Sequence, residues 1–377
     1  MSQLFQLYKS FISKEPVGTT QPTFEDLIID DKLPELERVV RYVKSSIALQ
    51  RLVHVKMIAH VTKSFATFDK IEETIIPLLE YVALDLEPSI RRVFAEQLSP
   101  VAERCMALGG KKGYLAVAEK ILPIVAVLLE DDKAEIRQTA TSTLVDIASG
   151  MEPIDLGQYI LTVILHLAHD DGREEMRMTA SVLLNILAET LGQDLCKQFV
   201  IPEVVSLAED PAFRVRKSTA LNIQNICKIG GEHELFERLM PAFVRLSKDD
   251  MYRVRRACAD SLASISEFVS DDIRVGVLVE IFLRLAQDPS KLVKQSILQQ
   301  SGMFIASLPS RVINSTILSI FCSLPRSPLS DPVADAELKK YCAYSFPGVL
   351  KAVGVDRWGE LRQVRLLCFS SFSLHLL

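Results

Sequence analysis

Of the 377 residues, 49 % are hydrophobic, 24 % are charged and only 15 are glycine, which excludes a largely disordered chain and supplies apolar side chain for a large core. A formal net charge of −5 and an isoelectric point near 5.8 argue against nucleic-acid binding through phosphates, which calls for a basic balance or stripe. No uncharged apolar run reaches the ~18 residues of a membrane span, and the N-terminal MSQLFQLYKSFISKEP lacks the basic-then-apolar order of a signal peptide.

Residues 1–32 hold a short amphipathic start and the Pro/Thr-rich stretch PVGTTQPT, and are expected to form a partly flexible lead-in. Residues 33–66 read as a degenerate helical hairpin without an acid–base pair. From there an acidic residue followed six positions later by Arg or Lys recurs: Asp85 and Arg91, Asp131 and Arg137, Asp171 and Arg177, Asp210 and Arg216, Asp249 and Arg255, Asp288 and Lys294. The bases lie 46, 40, 39, 39 and 39 residues apart. The residue before each base is apolar: Ile90, Ile136, Met176, Val215, Val254 and Val293.

Counting four, eight and eleven residues on from each of these anchors draws one stripe of helical period, apolar except at Thr219 and Ser301. The segments before each Asp are also apolar, and four carry proline at Pro77, Pro123, Pro202 and Pro241, early in a helix, where a missing N–H is tolerated. Each unit is therefore a first helix, a tight turn opened by Asp, and a second helix. One such hairpin cannot cover its own apolar faces, so neighbours must stack. The expected fold is all-α, an α-solenoid of about eight antiparallel helix pairs over 33–355. The recurring Asp and Arg or Lys are expected to form a structural ladder through the turns.

The spacing of 46 and Gly109, Gly110 and Gly113 put a loop insertion near 107–114. CSLPRSPLSDPVAD at 322–335 reads as an exposed Pro/Ser loop, with the second helix of its hairpin at 336–352. After Arg357-Trp358 a further first helix begins, but VRLLCFSSFSLHLL contains no turn Asp and no second helix follows. Residues 356–377 are read as an incomplete repeat or an atypical tail.

Little in the chain resembles a catalytic or cofactor site, and neither an enzyme nor a cofactor is expected. GGKKG at 109–113 lacks the first Gly and the Ser/Thr of a phosphate loop, since Cys105 and Lys112 stand there. His166-x-x-His169 followed by Asp170 and Asp171 falls short of three or four convergent metal ligands. A single His233-Glu234 pair speaks against a helical-repeat metalloenzyme. The seven cysteines form no C-x-x-C pair, and Cys227 and Cys258 sit at core positions, as in a reduced intracellular compartment. The expected address is the cytoplasm, with the nucleus as a second location.

The turns differ in charge along the chain. DDKAE (131–135) and DDGREE (170–175) are acidic, whereas PAFRVRK (211–217), MYRVRR (251–256) and PSKLVK (289–294) are basic. Phe213 and Tyr252 stand ahead of the second helices beside arginines. They either anchor a partner, as exposed aromatics next to Arg commonly do, or pack onto the next hairpin.

The proline-bearing first helix, turn Asp, Val-Arg step and Ala-rich second helix of about 40 residues resemble the HEAT repeat. Within it, FRVRKSTALNIQNICKIGG (213–231), MYRVRRACADSLASIS (251–266), DPSKLVKQSILQQSGMFI (288–305) and ELKKYCAYSFPGVLKAVGVDRW (337–358) resemble the HEAT-repeat regulatory subunits of protein phosphatase 4. More distantly, the array is similar to the scaffold subunits of protein phosphatase 2A. The resemblance implies a non-catalytic scaffold that binds a serine/threonine phosphatase catalytic subunit and further regulatory or substrate proteins, with no nucleic acid and no membrane. It makes Phe213, Arg214, Tyr252, Arg253, Ser290 and Lys291 the candidate partner contacts. The alternative is a HEAT adaptor of another class, for nuclear transport or another multiprotein assembly.

Overall fold

Residues 28–323 and 332–369 are described in the computed structural model of the protein, and among them every regular element is a helix. The expected lead-in up to residue 27, the middle of the expected Pro/Ser loop (324–331) and residues 370–377 lie outside the described residues. The chain divides into two compact units, Met1–Leu183 and Leu184–Leu377.

In the first unit, Glu35–Tyr42 pairs with a second helix split into Ala48–Val55 and Ile58–Lys63, and Phe68–Thr74 and Ile76–Val82 pair with Pro88–Ala116. Leu122–Leu129 then pairs with Ala134–Ser149, and Thr162–Ala168 leads into Glu174–Ile186, within which the unit boundary falls. In the second unit the fifth hairpin joins Ile201–Leu207 to Phe213–Leu221 and Gln224–Ile229, and the sixth joins Met240–Leu246 to Tyr252–Phe268. The seventh joins Val279–Ala286 to Lys291–Ala306, the eighth joins Ser315–Ser323 to Pro332–Val353, and a last helix spans Trp358–Phe369.

The apolar stripe read from the sequence is the core. All eighteen of its residues, from Phe94 to Phe304, are at most 2 % exposed. Burial of each large aliphatic or aromatic side chain there contributes about 1.5–3 kcal/mol. Five first helices contain a wide π-type turn, at Val117–Ile121, Gly157–Leu161, Cys196–Val200, Leu235–Leu239 and Arg274–Leu278. Pro123, Pro202 and Pro241 each follow two residues behind such a turn. A proline ring displaces the carbonyl four residues back, and the widened turn accommodates it. The two π turns without a proline show that the bend belongs to the repeat and the proline exploits it.

Ser301, a polar member of the stripe, is fully buried and donates to Leu298 O (2.7 Å). Beside it, a Cβ on Gly302 would stand 2.2 Å from Ser345 Cβ. Small residues at this crossing let the second helices of the seventh and eighth hairpins approach closely.

The turns are held by a recurring pattern of bonds. Each turn Asp accepts the N–H two residues on through its Oδ1: Asp85 from Glu87, Asp131 from Lys133, Asp210 from Ala212, Asp249 from Met251 and Asp288 from Ser290 (2.8–2.9 Å). This is the local side-chain turn that Asp favours. An arginine six residues on then donates from Nη1 to the Asp carbonyl, as in Arg91 to Asp85 O, Arg216 to Asp210 O and Arg255 to Asp249 O (2.7–2.8 Å). The remaining face of the guanidinium reaches forward to the carboxylate of the next hairpin: Arg91 to Asp131, Arg216 to Asp249 and Arg255 to Asp288, each through Nε (2.6–2.7 Å) and Nη2 (3.0–3.1 Å). Two parallel charge-assisted bonds fix orientation as well as proximity.

Four details differ from the sequence expectation. The first hairpin does carry the pair, with Ser45 in place of Asp: Ser45 Oγ accepts from Ile47 N (3.0 Å), and Arg51 bonds the Ser45 and Ser46 carbonyls (3.0 and 3.1 Å) and the Asp85 carboxylate. In the fourth hairpin the turn residue is Asp170 rather than the exposed Asp171, because Asp170 accepts from Gly172 and Arg173 and its carbonyl receives Arg177. The one-residue shift lengthens the turn. Among the described residues Arg137 consequently bonds only the Asp131 and Asp132 carbonyls (2.7 and 3.0 Å), and Arg173 takes over, joining Asp170 (2.7 Å) to Glu130 (2.5 Å). Lys294 is exposed and forms no ion pair among the described residues.

Two irregular segments also differ. Residues 107–114 form no loop: Pro88–Ala116 is helical apart from a kink at Gly110, where φ 50° and ψ −129° suit only glycine. Residues 322–323 and 332–335 of the expected loop belong to helices, and the helix expected at 336–352 spans Pro332–Val353.

Candidate partner-binding site

Two basic turns of the second unit, 211–217 and 251–256, meet at Arg253. Phe213 and Tyr252 each occupy the first position of a second helix, half-buried, with Arg214 and Arg253 exposed beside them. The Arg253 guanidinium lies 5.9 Å from the Phe213 ring centre and 5.8 Å from that of Tyr252. Its Nε also donates to the Tyr252 hydroxyl at 3.4 Å. The two aromatics each contact the Arg253 side chain. They pack locally, and what they pack against is an exposed cation, held in place by cation–π attraction of about 0.5–1 kcal/mol per ring.

Arg253 forms one wall of a groove of about 340 Å³ between the second helices of the fifth and sixth hairpins, lined also by Lys217, Leu221, Tyr252, Arg256, Ala257 and Asp260. Lys217 and Arg256 stand two residues past the anchors Val215 and Val254, one helical turn from Arg214 and Arg253. Arg256 donates from Nε to Ser296 Oγ (3.0 Å) in the seventh hairpin and lies 3.8 Å from Asp260. Burial pushes the Asp260 carboxyl above its ordinary value, and Ser296, Arg256 and Lys217 counter this only in part.

Ser290 and Lys291 do not join this groove. Ser290 serves its own turn through Asp288, and Lys291 is exposed at the start of the following helix. Lys217, Arg256 and Asp260 were absent from the sequence candidates, although the repeat of a base two residues past the anchor, at 217 and 256, carried the signal.

The first unit offers a contrast. A depression of about 380 Å³ there is lined by Asp85, Glu130, Asp131 and Asp132 with Arg91 and Arg173. There both cations are already bound to the chain's own carboxylates. His166 Nε2 lies 3.4 Å from Glu130 Oε1, and no group of three or more metal-ligating side chains is assembled among the described residues. No helix among the described residues is long and apolar enough to cross a membrane.

The HEAT repeat model matches residues 121–151 and 239–269, the third and sixth hairpins. The fold is an all-α HEAT solenoid. Among solved structures, importin beta in a polyethylene glycol condition aligns with TM-score 0.68 and 12 % identity over 98 % of this chain and 52 % of its own. The karyopherin Kap121p bound to the SUMO protease Ulp1p aligns with TM-score 0.62 and 14 % identity over 98 % of this chain and 47 % of its own. Kap95p with RanGDP gives 0.59 and 14 % over 84 % and 40 %. The chain therefore spans about half the length of these structures or less, and at such identities the likeness is one of fold. No curated protein matches the chain.

Proposed function

We propose that this chain is a non-catalytic scaffold that docks protein partners along the basic turns of its second unit. The observation that carries this reading is Arg253, an exposed guanidinium positioned by Phe213 and Tyr252 and joined to no carboxylate of its own chain among the described residues. Aromatic residues and arginine at a defined position are what protein interfaces use as anchors.

The likeness to karyopherin solenoids supports an adaptor for nuclear transport or another multiprotein assembly, moving between cytoplasm and nucleus. The solved relatives are themselves seen with RanGDP and with a SUMO protease. A second reading, a regulatory scaffold of a serine/threonine phosphatase, is supported by the resemblance of 213–231, 251–266, 288–305 and 337–358 to that family. On that reading Phe213, Arg214, Tyr252, Arg253, Ser290 and Lys291 face the catalytic subunit. Affinity purification of the chain with mass spectrometry tests both. Transport GTPases or nucleoporins identify the first, a phosphatase catalytic subunit identifies the second, and the absence of any stoichiometric partner at mild salt overturns the scaffold reading.

A further inference from the structure

We propose that the groove between the fifth and sixth hairpins binds an acidic peptide segment of a protein partner, its anionic side chain on Arg253, Arg256 and Lys217 and an apolar neighbour on Leu221; this rests on the scaffold reading above. The charge balance of the groove is the first argument. Everywhere the ladder arginines occur with a bidentate carboxylate, that carboxylate comes from the next hairpin. Lys217 and Arg253 have no such partner among the described residues, and Arg256 faces only Asp260, at 3.8 Å. Three cations against one carboxylate leave the lining net positive in a chain whose overall charge is −5.

Pre-organisation is the second argument. Arg253 is held by two rings and Arg256 by Ser296, so less side-chain freedom is lost when an anion arrives. Leu221, 38 % exposed, supplies an apolar contact at the same groove. At about 340 Å³ the groove is at the small end of ligand pockets and suits side chains of an extended segment.

A peptide fits better than a nucleic acid. The ring faces that could stack bases are engaged by Arg253, and Asp260 within the groove and the exposed Asp250 nearby repel a continuous phosphate backbone.

The test is fluorescence anisotropy on the full chain with a labelled peptide bearing glutamates on both sides of a central Leu-Phe pair. Its phosphoserine form, a lysine-for-glutamate form and a single-stranded oligothymidine serve as comparison probes. Expected are binding of the two anionic peptides, none of the lysine form, and weakening as salt rises. Stronger binding of either anionic peptide identifies phosphate or carboxylate as the preferred source. Arg253→Glu with Lys217→Glu is expected to weaken binding about tenfold or more with an unchanged melting curve; Lys217→Glu alone serves should the double variant melt early. Equal binding of the lysine peptide, indifference to both variants, tighter binding of oligothymidine, or no binding at all would overturn the proposal. Partners recovered by affinity purification without acidic-peptide binding would sink this assignment and leave the scaffold reading standing. Peptide binding without partners would do the reverse.

Discussion

Arg51 and Asp85, 34 positions apart, are joined by two parallel bonds, Nε to Oδ2 at 2.6 Å and Nη2 to Oδ1 at 3.0 Å, with their side chains only 3 % and 1 % exposed. The same guanidinium closes the Ser45–Ser46 turn through Nη1. One side chain thereby fixes a turn within its hairpin and the distance to the next. Because the charges are out of water, the pair's worth lies in what its disruption costs.

Arg51→Ala is expected to destabilise the first unit by about 3 kcal/mol, since it leaves Asp85 buried and uncompensated. Arg137→Ala, which loses only bonds to two carbonyls, is expected to cost about 1 kcal/mol. Urea unfolding followed by a probe in the first unit ranks the two; equal losses would show that the carboxylate bond is not what matters.

Acid should weaken the second unit through Asp288. Burial pushes its carboxyl up, but the Arg255 bonds, the Ser290 N–H and the Lys294 charge outweigh this and hold it below the ordinary range. A group whose folded pKa is depressed contributes stability that is present above its unfolded value near 4 and is lost as pH falls through the folded value. Melting temperature against pH should therefore drop below about pH 4, and Asp288→Asn should lower the neutral plateau while flattening that drop. An unchanged acid slope in the variant would exclude Asp288 as a source.

Two glycines make a matched pair. Gly302→Ala places a Cβ 2.2 Å from Ser345 Cβ and 3.1 Å from the Phe321 ring, forcing the second helices of the seventh and eighth hairpins apart at a cost of about 2 kcal/mol. Gly276→Ala meets nothing within 4 Å and is expected to be neutral or to stabilise by about 0.5 kcal/mol through the unfolded chain. Thermal melts of both variants decide it, and a harmless Gly302→Ala would mean that the crossing can relax.

Asp260→Asn tests the groove from the opposite side to charge reversal. It removes the one carboxylate in the lining and relieves a group whose charged form burial disfavours. Binding of the glutamate peptide is expected to tighten about threefold, with no loss of melting temperature. Weaker binding would place Asp260 in contact with the ligand as an acceptor.

Repetition made most of the fold legible. Six Asp-to-base spacings with an apolar residue before each base located the turns and the core stripe, because both depend on local periodicity along single helices. Ser45 escaped notice because a hydroxyl can close the same turn as a carboxylate without leaving an acidic residue in the sequence. Asp170 escaped because Asp171 keeps the regular six-residue spacing while the longer turn uses its neighbour. The kink at Gly110 escaped because three nearby glycines read as a loop where one positive φ suffices.

The candidate site divides the same way. The sequence by itself determined that these are stacked helical hairpins, and that the turns pass from acidic to basic along the chain. Only tertiary structure decided that Arg51, Arg91, Arg216 and Arg255 each bond the following hairpin's Asp whereas Arg137 does not, and that Arg253 of one hairpin lies over Phe213 of another. It also decided that Lys217 and Arg256 face one groove while Ser290 and Lys291 stand outside it. Those relationships join residues about 40 positions apart, and their geometry is set by how one helix pair docks on the next, which periodicity along a single chain does not encode.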